Sequence, residues 1–247
     1  MKKAIIIVLS LLISSTVYAR ELVFASSGYS PFLIQDKGNT RVEGGIYRDI
    51  LSLFTEAYPE YSILYEVYPP KRANIMMARG EGVDLILQSS LFVQEGTQLY
   101  YEFSEIVTTT KDIVITKAGS DIDYKNSEDL IGKTVAVRRG YKYGIFDQYE
   151  KEGKLRYEVL NEHDHAIKFL SFGRADALLG NIHVHPYYIK KMGLKLSDFS
   201  FSEKALFEFD LAFQVRKGIG VLPKLNKFIR KIKNDGTLDK IIDKYIK

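Results

Sequence analysis

The 247-residue sequence predicts an α/β fold, on three observations. Short apolar runs alternate with segments whose apolar positions recur at helical spacing, almost from end to end. Glycine and proline punctuate the junctions between them. There is no cysteine, so no disulfide helps and a hydrophobic core must hold the chain by itself.

Taken in order, residues 1–19 are expected to be a cleaved export signal. Lys2 and Lys3 precede an apolar run, Ala4 to Ile13, broken only by Ser10. Val17-Tyr18-Ala19 then places small residues where a signal peptidase reads. The run is shorter than the roughly 20 apolar residues a bilayer span needs, and no later stretch is apolar for long enough. The remaining 228 residues suffice for one large domain or two ordinary ones. Leu22–Ala25 reads as a buried strand ended by Ser26-Ser27-Gly28. After Gly44-Gly45, the positions Ile46, Ile50, Leu53, Phe54 and Ala57 predict a helix through Tyr58, stopped by Pro59. Ile63–Tyr68 alternates as a strand does until Pro69-Pro70. A short helix over Arg72–Arg79 closes at Gly80, and Val83–Leu87 is another buried strand. A second set begins near residue 112. Asp112–Thr116 and Thr134–Val137 read as strands, with Ser127 capping a short helix between them. Asn161 is expected to cap a helix running to about Phe172, followed by the strand Ala177–Leu179. Leu211–Val215 reads as a strand. Helices over Leu222–Lys233 and Thr237–Ile246 close the chain, separated by the stop signal Asn234-Asp235-Gly236.

Charge narrows the function. Beyond residue 19 there are 33 basic and 31 acidic residues, and no basic cluster is interleaved with aromatics, so no nucleic-acid partner is expected. One segment departs from this balance. From Gly80 to Thr110 there is no lysine or arginine in 31 residues, while Glu81, Asp84, Glu95, Glu102 and Glu105 all fall within it. At the chain's average density it would hold about four cations.

Seven stretches in register resemble the periplasmic solute-binding proteins of the polar amino-acid type, family 3. They are YSPF (Tyr29–Phe32), GGIYRDI (Gly44–Ile50), ARGEGVDLIL (Ala78–Leu87), FSEI (Phe103–Ile106), DLIGKTVAVRRGYKYG (Asp129–Gly144), FLSFGRADALLGN (Phe169–Asn181) and IRKIKNDGTLDKIIDKYI (Ile229–Ile246). The resemblance implies a two-lobed periplasmic-binding-protein fold, with a ligand cleft between lobes joined by two crossing strands. Lobe one would comprise residues 20–108 and 209–247, and lobe two residues 109–208. It further implies a soluble periplasmic monomer that closes on a small-molecule ligand. The partner would be the permease of an ABC transporter, with a membrane sensor receptor as the alternative. No cofactor and no catalytic residue are expected.

Amino-acid binders of this family carry an arginine six residues before the FS pair, gripping the ligand's α-carboxylate. Thr97 stands there. They also carry an ammonium-binding aspartate five residues after the Asp of GRADA, and here Asn181 stands there. Both departures imply a small polar solute other than an ordinary α-amino acid. Arg72, on the first turn of its helix, and Arg139 are the candidate anion anchors, each open equally to a surface ion pair. The turn Arg139-Gly140-Tyr141 is where the family presents backbone N–H groups. Tyr29 and Phe32 are expected to flank ligand, with lobe-one core as the other reading of Phe32. Ser89 and Ser90 either donate hydroxyls into the cleft or cap a helix start.

All four histidines lie in the second half, as His163, His165, His183 and His185. His163 and His165 would be about 200° apart on one helix, so no metal site is expected. The rival class is a dehydratase of cyclohexadienyl acids, an activity found on this fold, which would need a placed acid in the cleft.

Overall fold

The computed structural model describes residues 19–26, 28–36, 38, 40–92 and 99–247. In chain order the elements are β1 (Arg20–Ser26), β2 (Ile34–Gln35), β3 (Val42–Gly44), α1 (Ile46–Ala57), β4 (Tyr61–Val67), α2 (Pro70–Arg79), β5 (Leu85–Gln88) and β6 (Tyr101–Lys117). There follow β7 (Thr134–Arg138), α3 (Ile145–Lys151), β8 (Arg156–Leu160), α4 (His163–Ser171), β9 (Ala177–Asn181), α5 (Val184–Lys191), β10 (Phe199–Arg216), α6 (Leu222–Asn234) and α7 (Thr237–Ile246). Three 3₁₀ turns, Ser90–Phe92, Ser127–Leu130 and Leu196–Asp198, complete the described set.

Eight strands form one curled sheet in the order β4-β1-β5-β10-β6-β9-β7-β8. β1 runs parallel to β4 and β5, and β7 parallel to β8 and β9. Parallel strands covered on both faces read as continuous apolar runs, which is why they were visible in the sequence. The two long strands β6 and β10 pair antiparallel from Tyr101↔Arg216 to Lys117↔Phe199, with bulges on the way. Both run through the middle of the sheet and join two separate cores, and this makes the fold two-lobed. One core gathers Phe24, Tyr47, Phe54 and Phe213 under α1, α6 and α7. The other centres on Leu130, Val135, Val137 and Leu179 on one face of its sheet, and on Ile167, Leu170 and Ile189 on the other. Val184, at the start of α5, packs into the first core, so α5 is a point of contact between the halves.

β6 and β10 are far longer than the apolar runs Asp112–Thr116 and Leu211–Val215 that announce them. Their remaining lengths are rich in Thr, Ser and Glu and pair at the surface, so only the twice-covered half carries an apolar signal. Asn126, not Ser127, caps the 3₁₀ turn at Ser127–Leu130, accepting from Glu128 N while Asp129 returns the bond to Asn126 N. α4 likewise starts after Glu162 rather than Asn161, whose side chain is taken up by Arg139.

One local device fixes the loop that carries YSPF. Gly45 precedes α1 at φ 116°, and a Cβ there would stand 2.5 Å from Phe32 O. Glycine permits that approach. The first two N–H groups of α1, on Ile46 and Tyr47, can then donate to Pro31 O and Phe32 O, both at 3.0 Å. The loop therefore serves as the helix cap.

Candidate ligand-binding cleft

A cavity of about 450 Å³ opens between the lobes, within the range of small-molecule sites. Lobe one supplies Tyr29, Phe32 and Leu33 from the capping loop, Ala73 and Asn74 from α2, and Ile86 to Ser89 from the end of β5. The far wall is Gly140, Tyr141 and Lys142 after β7, and the floor is Asp112 of β6 with Phe207, Phe209 and Leu211 of β10. The lining is mainly apolar. Tyr29 and Phe32 stack at 5.2 Å between ring centroids, and Phe207 and Phe209 at 5.6 Å.

Of the residues singled out from sequence, Tyr29, Phe32, Ser89, Gly140 and Tyr141 line this cavity. Phe32 is also wholly buried against Tyr47, so its two readings describe one side chain. Ser89 Oγ accepts from Leu91 N at 3.2 Å, capping the turn while facing the cavity. Ser90 is exposed at the head of that 3₁₀ turn. Arg72 and Arg139 do not line the cavity. Arg72 is exposed with its guanidinium 4.9 Å from the Tyr68 ring centroid, because α2 turns Ala73 and Asn74 inward instead. Arg139 is exposed and donates to Asn161 Oδ1 at 2.7 Å. Two of the three N–H groups of its turn are already used, Arg139 N donating to Leu160 O of β8 and Tyr141 N to Arg138 O. Thr97 lies outside the described residues, as do residues 1–18 of the expected signal.

Asn181 is buried one strand away from the cavity, opposite Asp112 in the β6–β9 register. Its amide is used in full. Nδ2 donates to Asp112 Oδ1 at 3.1 Å and to Thr110 Oγ1 at 2.9 Å, and Oδ1 accepts from His183 N at 3.0 Å. Thr110 Oγ1 lies 2.8 Å from His183 Nδ1. Thr110 Oγ1 also lies 3.2 Å from Asn181 Oδ1, so the hydroxyl joins the amide and the imidazole in one buried network.

Asp112 was not foreseen. It is 7% exposed, and burial pushes its carboxyl above the usual range, partly offset by the bond from Asn181. Among the described residues no lysine or arginine is paired with it. The hydroxyls of Tyr29, Tyr141 and Tyr143 are close enough to feel its charge, although burial is the larger cause of their raised values. The available signal was an aspartate inside the apolar strand DIVIT, where period two puts it on a covered face. Phe207 and Phe209 had a signal too, as alternate aromatics on a crossing strand.

Behind this wall the histidines pair across helices rather than along one. His163 and His185 meet edge to face at 5.2 Å, and His163 stacks on Tyr188 at 5.1 Å. Burial lowers His163 to about 2 and His183 and His185 to about 4, so all three are neutral. No group of three potential metal ligands occurs among the described residues.

Two lobes on a shared pair of strands, with an apolar cavity between them, define the binding-protein class of α/β folds. The family of bacterial extracellular solute-binding proteins, family 3, matches residues 22–247, and the chain belongs to it. The "Probable amino-acid-binding protein YxeM" of Bacillus subtilis (strain 168) is 31% identical over 140 residues, 54% of this chain and 50% of that protein. The L-cystine-binding protein TcyA of the same organism is 29% identical over 150 residues, 59% of this chain and 52% of that protein. The chain thus spans about half the length of these curated relatives. Among solved structures, an ancestral cationic amino acid solute-binding protein is similar with a TM-score of 0.71 at 24% identity, over 92% of this chain and 96% of that one. A second structure of that ancestor, described as a precursor of cyclohexadienyl dehydratase, gives 0.61 at 23% identity, over 92% and 95%. The chain is therefore a family 3 bacterial extracellular solute-binding protein.

Proposed function

We propose that the protein captures a small solute in the cavity between residues 20–108 with 209–247 on one side and 109–208 on the other. It closes on the solute about the crossing strands near Thr108–Lys111 and Ala205–Phe209, and delivers it to an ABC permease. The observation that carries this reading is the cavity itself, whose lining comes from both lobes and from β6 and β10 between them. A solute touching both walls binds the closed state more tightly and so shifts the population toward it. The solute is not an ordinary α-amino acid held at the family's two anchors. No cation occurs from Gly80 to Thr110 to grip an α-carboxylate, and position 181 is an amide. Export by a signal ending at Ala19 places the protein in the periplasm, and an intact mass beginning at Arg20 tests that step.

A thermal-shift screen against a metabolite library, followed by solution scattering with the best hit, tests the capture reading. A solute at 100 times its Kd adds about 2.7 kcal/mol of stability. The radius of gyration falls on binding; a tight solute that leaves it unchanged refutes closure.

One observation favours a second reading. Asp112 is a carboxyl in the cavity wall held toward its protonated form by burial, as a general acid would be. Assay with prephenate and arogenate decides it: turnover abolished by Asp112→Asn makes the protein a dehydratase, and no turnover leaves the capture reading.

A further inference from the structure

The floor of the cavity holds a carboxyl group, Asp112, that no lysine or arginine among the described residues pairs with. Asp112 Oδ1 is used by Asn181, while Oδ2 has no hydrogen-bond donor among the described residues. Among the described residues the one cation in the lining is Lys142, which is exposed and makes no ion pair with Asp112. Asn74, in the opposite wall, keeps a buried amide oxygen with no partner, a second acceptor lacking a donor. Around these two acceptors the surfaces are rings: Tyr29, Phe32, Tyr141, Phe207 and Phe209. Ring faces carry negative potential and attract cations, most strongly where water is displaced. An anion would have to sit against the Asp112 carboxyl, with the exposed Lys142 as the cation in the described lining and no arginine to grip it. A neutral hydrocarbon would fit the rings but bury the acceptors unsatisfied. A positively charged donor with an apolar body satisfies all three features.

We infer that Asp112 is the cation anchor of the cleft and that the solute is an organic ammonium ion carrying an apolar or aromatic body and no α-carboxylate. This inference rests on the solute-capture reading above. Asn181 acts as the positioning residue, since its amide fixes the Asp112 carboxylate and leaves Oδ2 free for the ligand.

The test uses the full protein and a matched panel: phenethylamine, tyramine, isopentylamine and N,N,N-trimethylphenethylammonium; the amino acids phenylalanine and tyrosine; and the acid 3-phenylpropionate. Binding is read by thermal shift and calorimetry, with scattering recorded alongside. At least one ammonium compound should raise the melting temperature by several degrees and bind at least tenfold more tightly than its matched amino acid. The acid should give no shift. Asp112→Asn should weaken the ammonium compound tenfold or more, whereas Asp112→Glu, keeping the charge, should retain part of the binding. The inference is overturned if the acid or an amino acid binds best, if folded Asp112→Asn binds ammonium as native does, or if no ammonium compound binds. Binding of the acid with a fall in radius of gyration would overturn the cation anchor and leave solute capture standing. Ammonium binding lost in Asp112→Asn but without compaction would do the reverse.

Discussion

Replacing Asn181 with aspartate restores the residue that the family's amino-acid binders carry, and the structure says that it should fail. The Asn181 amide donates to Asp112 at 3.1 Å and to Thr110 at 2.9 Å, and aspartate has no proton to offer either. A hydrogen bond to a charged group is worth about 1.5–3 kcal/mol. Two carboxylates about 4 Å apart would in addition repel by about 4 kcal/mol at an effective dielectric of 20. The pair can escape by keeping one proton, which re-forms the bond. At pH 7 that costs about 4 kcal/mol for a carboxyl of ordinary pKa, and about 1.4 kcal/mol less for each pH unit below. Asn181→Asp should therefore lose about 3 kcal/mol at pH 7, or about 6–12 °C in melting temperature for a chain of this size. The sign follows from linkage. The shared proton raises the folded pKa above the unfolded value, so the stability it supplies is present at low pH and lost as pH rises. The deficit relative to native should shrink to below about 1 kcal/mol at pH 5. The double variant Asp112→Asn with Asn181→Asp, which merely exchanges amide and acid, should recover most of the loss. Urea denaturation of native, Asn181→Asp and the double variant at pH 5 and pH 7.5 measures this. An Asn181→Asp protein as stable as native at pH 7.5 would refute the placement of Asp112 beside position 181.

The buried histidines predict acid lability. His163, His183 and His185 have folded pKa values far below the unfolded 6.5, so their contribution is intact above pH 6.5 and falls by about 1.4 kcal/mol each per pH unit below it. Asp112 contributes with opposite sign, its share being lost as pH rises. Denaturation midpoints should drop steeply between pH 6.5 and pH 5, and a flat profile would contradict the burial of the cluster. Asp84→Ala should cost about 2–4 kcal/mol by urea denaturation. It strands Arg216, whose fork Asp84 accepts, and Val23 N at 2.8 Å; the partial exposure of Arg216 keeps the cost near the low end for a buried pair. A loss under about 1 kcal/mol would show the pair to be solvated. Gly180→Ala should cost about 1–3 kcal/mol, because the new Cβ would stand 1.9 Å from His185 Cε1 and the ring, buried and bonded to Asn181 O, must move. An unchanged melting temperature would mean that the ring has room elsewhere.

The fold was legible where burial on both faces leaves a continuous apolar run, as in Leu22–Ala25 or Thr134–Val137, and where a helix has a clear stop, as at Asn234-Asp235-Gly236. Half of β6 and half of β10 were hidden because paired surface strands need no apolar side chains. α3, β8 and α5 were not anticipated either, since Tyr, Lys and Glu fill them and their apolar positions are few. In the cleft, Tyr29 and Phe32 were readable as aromatics beside a turn, whereas Tyr141, expected for its backbone N–H, reaches the cavity with that N–H bonded to Arg138 O. The direction of a charged side chain was not. Arg72 and Arg139 looked like anchors by position in sequence, yet helix rotation turns one toward Tyr68 and Asn161 captures the other. Asp112 escaped because its meaning comes from neighbours 69 and 95 residues away, Asn181 and Phe207, which only the β6 pairing brings together.

Calorimetric titration of the mature protein with the twenty common amino acids and L-cystine tests the central claim most directly. An α-amino acid in this cleft would bury a carboxylate with no arginine in the lining to receive it, and an unpaired buried charge costs several kcal/mol where about 1.4 kcal/mol is already tenfold in affinity. The account predicts weak or undetectable heats for all of them. Submicromolar binding of any one would show that other residues hold the amino-acid headgroup, and would contradict the account.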